Sequence, residues 1–221
     1  MNFKPEVLVN AFVELTKALP RTLLIAIIAM AIGLILGTII GILRQTKLNK
    51  MLGVWVSFFR GTPLMIQLFL FFFGLPQLFP IIGKLSAFQS AVLVMGINAS
   101  AYVAESIRGA LGAVDSLQSD AAYTVGLTKL QTLWYIVLPQ AMKIALPSLG
   151  NTFIGVIQGT SLTFMLGISD LLGLAKMRAA QNYRFFEVYL AVGIWYWLIV
   201  MAVTFINKQL ENKMAAGKES I

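Results

Sequence analysis

Long apolar runs, separated by short charged segments, constrain the fold of this sequence more than any other feature. A helix needs about 20 apolar residues to cross roughly 30 Å of hydrocarbon. Five segments have this character, and we predict membrane spans over residues 19–43, 62–79, 86–108, 130–158 and 188–208. Only 12% of the 221 residues are charged, which is about half the share in soluble domains. The sequence therefore predicts one all-α integral membrane domain over residues 1–221, with about five transmembrane helices.

Basic residues in the loops predict the orientation of these spans. The loop after the first span contains four cations and no acid: Arg44, Lys47, Lys50 and Arg60. Further cations follow the last span: Lys208, Lys213 and Lys218. Because cytoplasmic loops carry an excess of Lys and Arg, this pattern places the N-terminus outside the membrane and the C-terminus in the cytoplasm. Three cations on the predicted outer side oppose this orientation: Lys176, Arg178 and Arg184.

Several classes of function are excluded by residues that the sequence lacks. It contains no His and no Cys, which removes His- or Cys-based metal sites and Ser-His or Cys-His catalysis. We therefore expect no catalytic and no metal-binding residue. The ATP-binding pattern G-x-x-x-x-G-K-[ST] is absent as well, so energy from ATP would have to come from a partner. The net charge of +8 reflects membrane orientation rather than nucleic-acid binding, since no basic run is interleaved with aromatic residues.

Two segments beside the spans carry interfacial patterns, and the first span carries a packing pattern. Residues 1–18 are predicted to be an amphipathic N-terminal segment, in which residues 5–18 form a helix that lies in the outer membrane interface. Residues 51–59 are predicted to form a second interfacial helix, with an aromatic residue at the headgroup level. Within the first span, small residues at four-residue spacing predict close helix packing. These residues are Gly33, Gly37 and Gly41.

Two groups of residues mark the boundary that faces the positive loop. Thr62 is predicted to cap the second span, with Pro63 at its first helical position, where no amide donor is lost. Glu105 and Arg108 lie near the end of the third span. We predict that they form a structural pair with each other or with Arg60.

Polar side chains within the spans are costly against lipid, so they are expected to face other helices or a wet cavity. Gln67 lies deep in the second span, where it either joins helices or lines a pathway. Asn98 and Tyr102 share one face of the third span. Residues 148–164 are unusually polar for membrane depth and predict either a pathway or a purely structural polar seam. The candidate residues for a substrate pathway are Leu64, Gln67, Asn98, Tyr102, Asn151, Thr152, Gln158, Thr160 and Ser161.

A polar helix is predicted between the third and fourth spans, over residues 115–128. Asp115, with Gln118 three residues later, is typical of the start of a capping box. A small, smooth face and a turn follow at Ala121, Ala122 and Gly126. Because this helix is too short and too polar to cross the membrane, it indicates contact with a protein partner. In the span that follows it, Pro139 and Pro147 are predicted to bend the helix.

The segment from Asp120 to Pro139 resembles the EAA motif of permease subunits in bacterial binding-protein-dependent ABC importers. It reads Asp120-Ala121-Ala122-x3-Gly126-x9-Ile136-x-Leu138-Pro139, with Asp in place of the usual Glu. Two further stretches resemble the polar amino acid branch of this family: Arg60-Gly61-Thr62-Pro63-Leu64 with Gln67, and Asn98-Ala99-Ser100-Ala101-Tyr102-Val103-Ala104-Glu105 with Arg108. Thr160-Ser161-Leu162, followed by Gly167 and Asp170, is similar as well.

The resemblance implies a type I ABC importer permease fold in the bacterial cell membrane (the inner or plasma membrane). Two permease subunits, identical or homologous, would form the pathway, and two ATP-binding subunits would dock beneath them and hold ATP and Mg²⁺. An extracytoplasmic binding protein would deliver the substrate. The chain itself would be a transport subunit rather than an enzyme and would bind no cofactor. Residues 115–128 would be the coupling helix, with the ATPase contacts at Asp120, Ala121, Ala122, Gly126, Leu138 and Pro139.

The polar residues of the fourth span indicate a substrate without a cationic side chain. Permeases of this family that carry arginine, lysine or histidine tend to place acids there, whereas Thr152, Gln158 and Gly159 are neutral. A buried cation without a carboxylate is costly. The runs 160–164 and 183–187 are most similar to cystine-type permeases, and glutamine-type permeases are close. The alternative is a partner-independent channel or secondary transporter, which would need buried ionisable groups for ion coupling.

Overall fold

The computed structural model describes residues 3–216, which form helices and turns and no strand within that range. Helix α1 (Pro5–Leu15) passes through a 3₁₀ turn (Thr16–Ala18) into α2 (Leu19–Leu43), so that one helical segment runs without interruption. The bounds of α2 coincide with the first predicted span. The interfacial position of α1 stays a prediction. Residues 1 and 2 of the predicted N-terminal segment, and Lys218, lie outside the described residues.

The remaining helices follow in chain order. α3 (Asn49–Gly61) precedes α4 (Leu64–Phe69), a π turn (Leu70–Gly74), α5 (Leu75–Leu78) and a 3₁₀ turn (Ile82–Lys84). α6 (Ala87–Gly112) and the short α7 (Ser116–Thr124) come next. The fourth membrane segment consists of α8 (Lys129–Thr132), a π turn (Leu133–Val137), α9 (Leu138–Gly159) and a 3₁₀ segment (Thr160–Leu166). α10 (Leu171–Asn182) and α11 (Phe185–Ala216) complete the described chain.

The length and composition of these helices agree with a membrane protein. Within the described residues, three segments are each long and apolar enough to cross a membrane: Pro5–Leu43, Ala87–Gly112 and Phe185–Met214. Two bent helix pairs raise the number to as many as five. α3 meets the α4–α5 segment at 103°, and the segment from α8 to the 3₁₀ turn meets α10 at 52°. The fold is therefore all-α with about five transmembrane helices, as the sequence predicts.

The sharp bend between α3 and α4 differs in detail from the prediction. Pro63 itself occupies the N-cap position of α4 with extended backbone (φ −62°, ψ 134°), and Leu64 is the first helical residue. Thr62 donates its hydroxyl to the Phe58 carbonyl at 2.8 Å, which closes α3 instead of capping α4. The predicted roles of Thr62 and Pro63 are wrong by one position. Thr62 and Pro63 are both extended, with ψ of 143° and 134°, because the chain turns by 103° between α3 and the α4–α5 segment.

Two prolines are accommodated by widened helical turns. The π turn Leu70–Gly74 ends two residues before Pro76, and the π turn Leu133–Val137 ends two residues before Pro139. Proline lacks the amide donor of a regular helical turn, and a π turn absorbs such a local defect. Pro147 lies inside α9 without interrupting the helix. A bend of 52° lies between the 3₁₀ segment and α10, and bending at Pro139 and Pro147 stays a prediction.

The main core forms where α2 and α6 approach each other closely. A Cβ atom placed on Gly37 would lie 2.5 Å from the Cβ of Val103 and 2.7 Å from the carbonyl oxygen of Ser100. Gly33 and Gly41 make similar close approaches to α6. The two helices therefore pack backbone against backbone, which confirms the packing that the glycine spacing predicts.

A second core holds α1 against α10 and α11. The Phe12 ring stacks on Trp195 with 4.5 Å between centroids, and the indole N–H of Trp195 donates to the Phe12 carbonyl at 2.9 Å. An ion pair joins Glu14 of α1 to Arg178 of α10. Arg178 is one of the three cations that oppose the predicted orientation. Its ion pair with Glu14 compensates its charge.

Candidate functional site

A cavity of about 690 Å³ lies between α6 and α9. Its walls follow the helical repeat, because residues three and four apart share one face of a helix. α6 contributes Met95, Asn98, Ala99, Tyr102, Glu105 and Ser106. α9 contributes Ser148, Asn151, Thr152, Gly155, Val156 and Gly159. Arg60, Leu64 and Leu162 complete the lining. The cavity therefore extends from the middle of α6 toward its C-terminal part.

Five of the nine predicted pathway residues line this cavity, and they come from three different predicted spans. They are Leu64, Asn98, Tyr102, Asn151 and Thr152. The α9 wall is polar but carries no charge. Asn151 is exposed there, and the Thr152 hydroxyl donates to the Ser148 carbonyl at 2.9 Å.

Asn98 presents an acceptor on the α6 wall. Its Nδ2 group donates to the Phe59 carbonyl and to Gln67 Oε1, each at 3.0 Å. These bonds fix the amide plane and use its donor side. The Oδ1 atom of Asn98 receives no hydrogen bond from the residues that the structure describes, so this acceptor is available to a molecule in the cavity.

Gln67 lies behind the cavity wall and is only 6% exposed. Its Nε2 group donates to the Phe59 carbonyl at 3.0 Å and to the Thr62 hydroxyl at 2.8 Å, while its Oε1 atom accepts from Asn98. Gln67 therefore joins α4 to the end of α3 and to α6. The structure agrees with the helix-joining alternative for this residue.

Three other predicted residues do not line the cavity: Gln158, Thr160 and Ser161. Thr160 is fully buried, and its hydroxyl lies 3.3 Å from the hydroxyl of Tyr196. The Ser161 hydroxyl donates to the Gln158 carbonyl of its own helix at 2.7 Å. The helix tightens from α to 3₁₀ geometry at Thr160. This change alters the rotation per residue and places Thr160 and Ser161 outside the face that Asn151 uses, whereas Gln158 precedes the change and flanks that face.

An ion cluster lies where α2, α3 and the last turns of α6 meet. The Glu105 carboxylate pairs with Arg44 at 2.6 Å and with Arg108, and Arg60 lies 3.9 Å from it. The Arg60 guanidinium also lies over the Tyr102 ring, 5.6 Å from its centroid. The predicted pairing of Glu105 with Arg108 or Arg60 is confirmed. Sequence reasoning misses Arg44, although its place at the end of the first span puts it at the same boundary.

Two serines that the sequence analysis does not single out join the cavity walls. The hydroxyl groups of Ser106 on α6 and Ser148 on α9 lie 2.7 Å apart, and both residues line the cavity. The helical repeat could have found them. Ser106 follows Tyr102 by four residues, and Ser148 precedes Asn151 by three, so each shares a face with a predicted pathway residue.

Helix α7 begins at the cap that the sequence predicts, but with different hydrogen bonds. The Asp115 carboxylate accepts from the Leu117 amide at 3.0 Å, which caps the helix. Gln118 does not complete a capping box; its side chain instead lies 3.4 Å from that of Gln140. The capping-box prediction is therefore wrong at Asp115. A capping box does form downstream, where Thr128 precedes α8.

The surface of α7 combines small, polar and exposed apolar residues. Asp120 and Ala121 are exposed, whereas Ala122 is buried against the bundle. Large apolar side chains nearby are also exposed: Leu117 by 67%, Tyr123 by 45% and Val125 by 78%. Gly126 has left-handed backbone with φ of 87°, which confirms the predicted turn. Of the other predicted contact residues, Pro139 is exposed and Leu138 is half-buried.

Comparisons with known proteins place this geometry in a family. The model of the binding-protein-dependent transport system inner membrane component matches residues 30–216. The chain is 41% identical over 213 residues to the probable amino-acid permease protein YxeN of Bacillus subtilis (strain 168), covering 95% of both chains. It is 35% identical over 214 residues to the L-cystine transport system permease protein TcyL of the same organism, covering 94% of this chain and 90% of that one.

A solved structure shows the same architecture. One chain of the crystal structure of an amino acid ABC transporter with histidines superposes with a TM-score of 0.86 and 30% sequence identity. The superposition covers 96% of this chain and 100% of that chain. The two chains therefore share one fold over nearly the whole length of this chain.

Proposed function

The chain belongs to the family of permease subunits of binding-protein-dependent amino acid ABC importers, and we propose that it carries a polar amino acid whose side chain has no net positive charge. Cystine or glutamine is the favoured substrate. The 35% identity to an L-cystine permease supports cystine. The cavity volume of about 690 Å³ lies within the range of small-molecule sites.

One observation carries this proposal: the cavity offers polar groups but no free carboxylate among the residues that the structure describes. Its α9 wall presents Asn151 and Thr152, which are neutral. Its one acid, Glu105, is held by Arg44 and Arg108, with Arg60 close by. A cationic side chain would therefore leave water without gaining a partner of opposite charge, which is costly.

The same cavity suits the backbone groups of a zwitterionic amino acid. The Oδ1 atom of Asn98 is an available acceptor for an ammonium group. Arg60 lies at the charged part of the cavity, and its side chain is 43% exposed, so it can face a carboxylate. We infer that a substrate lies with its ammonium group toward Asn98 and its carboxylate toward Arg60.

We further propose that α7 is the coupling helix. Exposed apolar side chains on a short polar helix, such as Leu117 and Val125, favour burial against a partner protein. The partners would be two ATP-binding subunits that hold ATP and Mg²⁺, beneath a pair of permeases that are identical or homologous. This assignment puts α7, Arg44 and the C-terminus in the cytoplasm and the N-terminus outside, where an extracytoplasmic binding protein would deliver the substrate.

Uptake by the purified importer, reconstituted in proteoliposomes with its ATP-binding subunits and binding protein, tests the substrate. We expect saturable ATP-dependent uptake of radiolabelled cystine or glutamine, without competition from excess arginine or lysine. Competition by arginine or lysine alone would overturn the substrate class. Uptake that persists without ATP and without the ATP-binding subunits would instead support the alternative, a partner-independent channel or secondary transporter.

The variant Gly126→Glu tests the coupling surface. We expect normal insertion and assembly, with ATP hydrolysis no longer stimulated by substrate, because a charged side chain would enter the surface next to Val125. Gly126→Ala is the matched control, since it shares the left-handed backbone cost at φ of 87° without adding charge. Equal coupling in both variants and the wild type would contradict the role of α7.

A further inference from the structure

A second cavity, of about 490 Å³, lies at the opposite end of α2 from the ion cluster. It is bordered by the start of α2, the start of α6 and the segment that leads into α10. Its polar side chains are Lys17, Arg21 and Ser169. Its apolar wall includes Pro20, Leu24 and Phe88. The site therefore combines two cations with an apolar floor and no acid among its lining residues.

The two cations of this groove are not compensated by the protein. Lys17 and Arg21 are both exposed, and neither forms an ion pair within residues 3–216. The nearest acid along the chain, Glu14, is engaged by Arg178. Lys17 and Arg21 are four residues apart and line one cavity, so a single anionic group can contact both of them.

An exposed apolar stripe continues from this groove along α2. Leu24, Ile27, Ile35 and Ile39 are exposed by 49%, 56%, 64% and 51%. Their spacings of three, eight and four residues keep them on one side of the helix. On a membrane-spanning helix such a stripe suits the acyl chains of lipid, and it meets the groove at Leu24.

The length of α2 places the two cations at headgroup depth. About 20 residues separate Leu24 from the end of α2 at Leu43, and at 1.5 Å per residue they span about 30 Å, the thickness of the hydrocarbon core. Arg21 then lies roughly 4 to 5 Å beyond the hydrocarbon edge, where phosphate groups of lipids are found.

We propose that this groove is a binding site for an anionic phospholipid. The phosphate lies between Lys17 and Arg21 and accepts a hydrogen bond from the Ser169 hydroxyl. One acyl chain follows Leu24 along the α2 stripe. A soluble protein partner does not fit this arrangement, because the groove floor at Leu24 and Phe88 continues into hydrocarbon that such a partner cannot enter. Cation pairs near a bilayer surface attract anionic lipids strongly enough to give selectivity.

Native mass spectrometry of the intact importer complex tests the site. The complex is titrated in detergent with dioleoylphosphatidylglycerol or dioleoylphosphatidylcholine, for the wild type and for Lys17→Gln/Arg21→Gln. We expect the variant to bind phosphatidylglycerol about tenfold more weakly, with phosphatidylcholine binding unchanged. The control Lys47→Gln/Lys50→Gln removes two exposed cations from the other end of α2 and should bind both lipids as the wild type does.

The variant Lys17→Arg/Arg21→Lys preserves both charges and is the control for a folding defect caused by substitution at these positions. It should bind phosphatidylglycerol as the wild type does. Equal phosphatidylglycerol affinity for the wild type and Lys17→Gln/Arg21→Gln would overturn the proposal. So would full displacement of the lipid by millimolar inorganic phosphate, which would identify a simple anion site. Normal lipid binding with weakened capture of the extracytoplasmic binding protein would also overturn it, by showing that the groove receives a protein.

Discussion

Helix α6 has two faces that differ in almost every physical respect. The face toward α2 packs against glycine residues of that helix. A Cβ atom added at Gly37 would overlap Val103 and the Ser100 carbonyl of α6. Toward α9 it borders a cavity of about 690 Å³ whose lining includes several polar side chains. On the cavity side, a Cβ added at Gly155 would meet no atom within 4 Å. The difference indicates that α2 and α6 form a rigid pair, whereas the space between α6 and α9 leaves room for a ligand.

The largest effect is expected from filling the close-packed face. Gly37→Val places branched atoms against Val103 and a backbone oxygen that cannot move away, so we expect a loss of more than about 3 kcal/mol and little folded protein. Gly155→Ala, on the open face, should be neutral or slightly stabilising, by about 0.5–1 kcal/mol. Thermal unfolding in detergent measures both. Similar stability of the two variants would show that the two faces of α6 are not different.

A smaller but clear effect is expected at the ion cluster, which joins the two faces at one end of α6. Glu105→Gln leaves Arg44, Arg60 and Arg108 close together without their acid. We expect a loss of about 1–3 kcal/mol, seen as a lower unfolding temperature that recovers partly at high salt. Arg108→Gln should cost less, because Glu105 keeps Arg44. A larger loss for Arg108→Gln would contradict this ordering.

Substitutions of residues that line the cavity should affect transport more than stability. Asn151→Ala removes a polar group from the cavity wall, and we expect the KM for uptake to rise about five- to tenfold, equivalent to about 1 kcal/mol of binding. Gln158 is not a lining residue of the cavity, so Gln158→Ala should leave the KM unchanged. Kinetics of uptake in proteoliposomes measure both. A KM change at Gln158 but not at Asn151 would show that the pathway does not run through this cavity.

The smallest effect is expected where the cavity walls touch. Ser148→Ala removes the hydroxyl contact to Ser106 across the cavity, 2.7 Å long, at a cost of about 0.5–1 kcal/mol. Ser161→Ala is the control, because its hydroxyl bonds only within its own helix. Differential scanning measurements on the purified complex compare them. Identical unfolding temperatures for both variants would show that the Ser106–Ser148 contact does not hold α6 to α9.

The spans and the close-packed seam could be predicted from the sequence because each depends on local pattern. Apolar runs of sufficient length predict the helices, and the spacing of Gly33, Gly37 and Gly41 predicts the approach to α6. The positions of Asn151 and Thr152 in the cavity follow from the same reasoning, since polar groups at membrane depth need a wet surface.

The sequence does not predict the structure correctly at three residues, Thr62, Thr160 and Arg44, and the physical reason differs for each. The 103° corner between α3 and the α4–α5 segment keeps Pro63 as well as Thr62 extended, so α4 starts one residue later than predicted. The 3₁₀ segment rotated Thr160 into the core, a change of helix type that residue polarity does not reveal. Arg44 was missed because its partner Glu105 is 61 residues away in the chain. A long-range pair of this kind needs the packing of α2 on α6, which a local pattern cannot supply.

The bonds of Gln67 have a consequence for the order in which the chain enters the membrane during synthesis. The donor side of this amide is satisfied by Phe59 and Thr62, a few residues earlier in the chain. Its acceptor atom, Oε1, accepts a hydrogen bond from Asn98, which is 31 residues later in the chain. The second span can therefore leave the translocation machinery with its amide donors already bonded, and the arrival of the third span completes the amide pair. Nascent chains truncated before Asn98 should consequently remain beside that machinery longer than chains that include it.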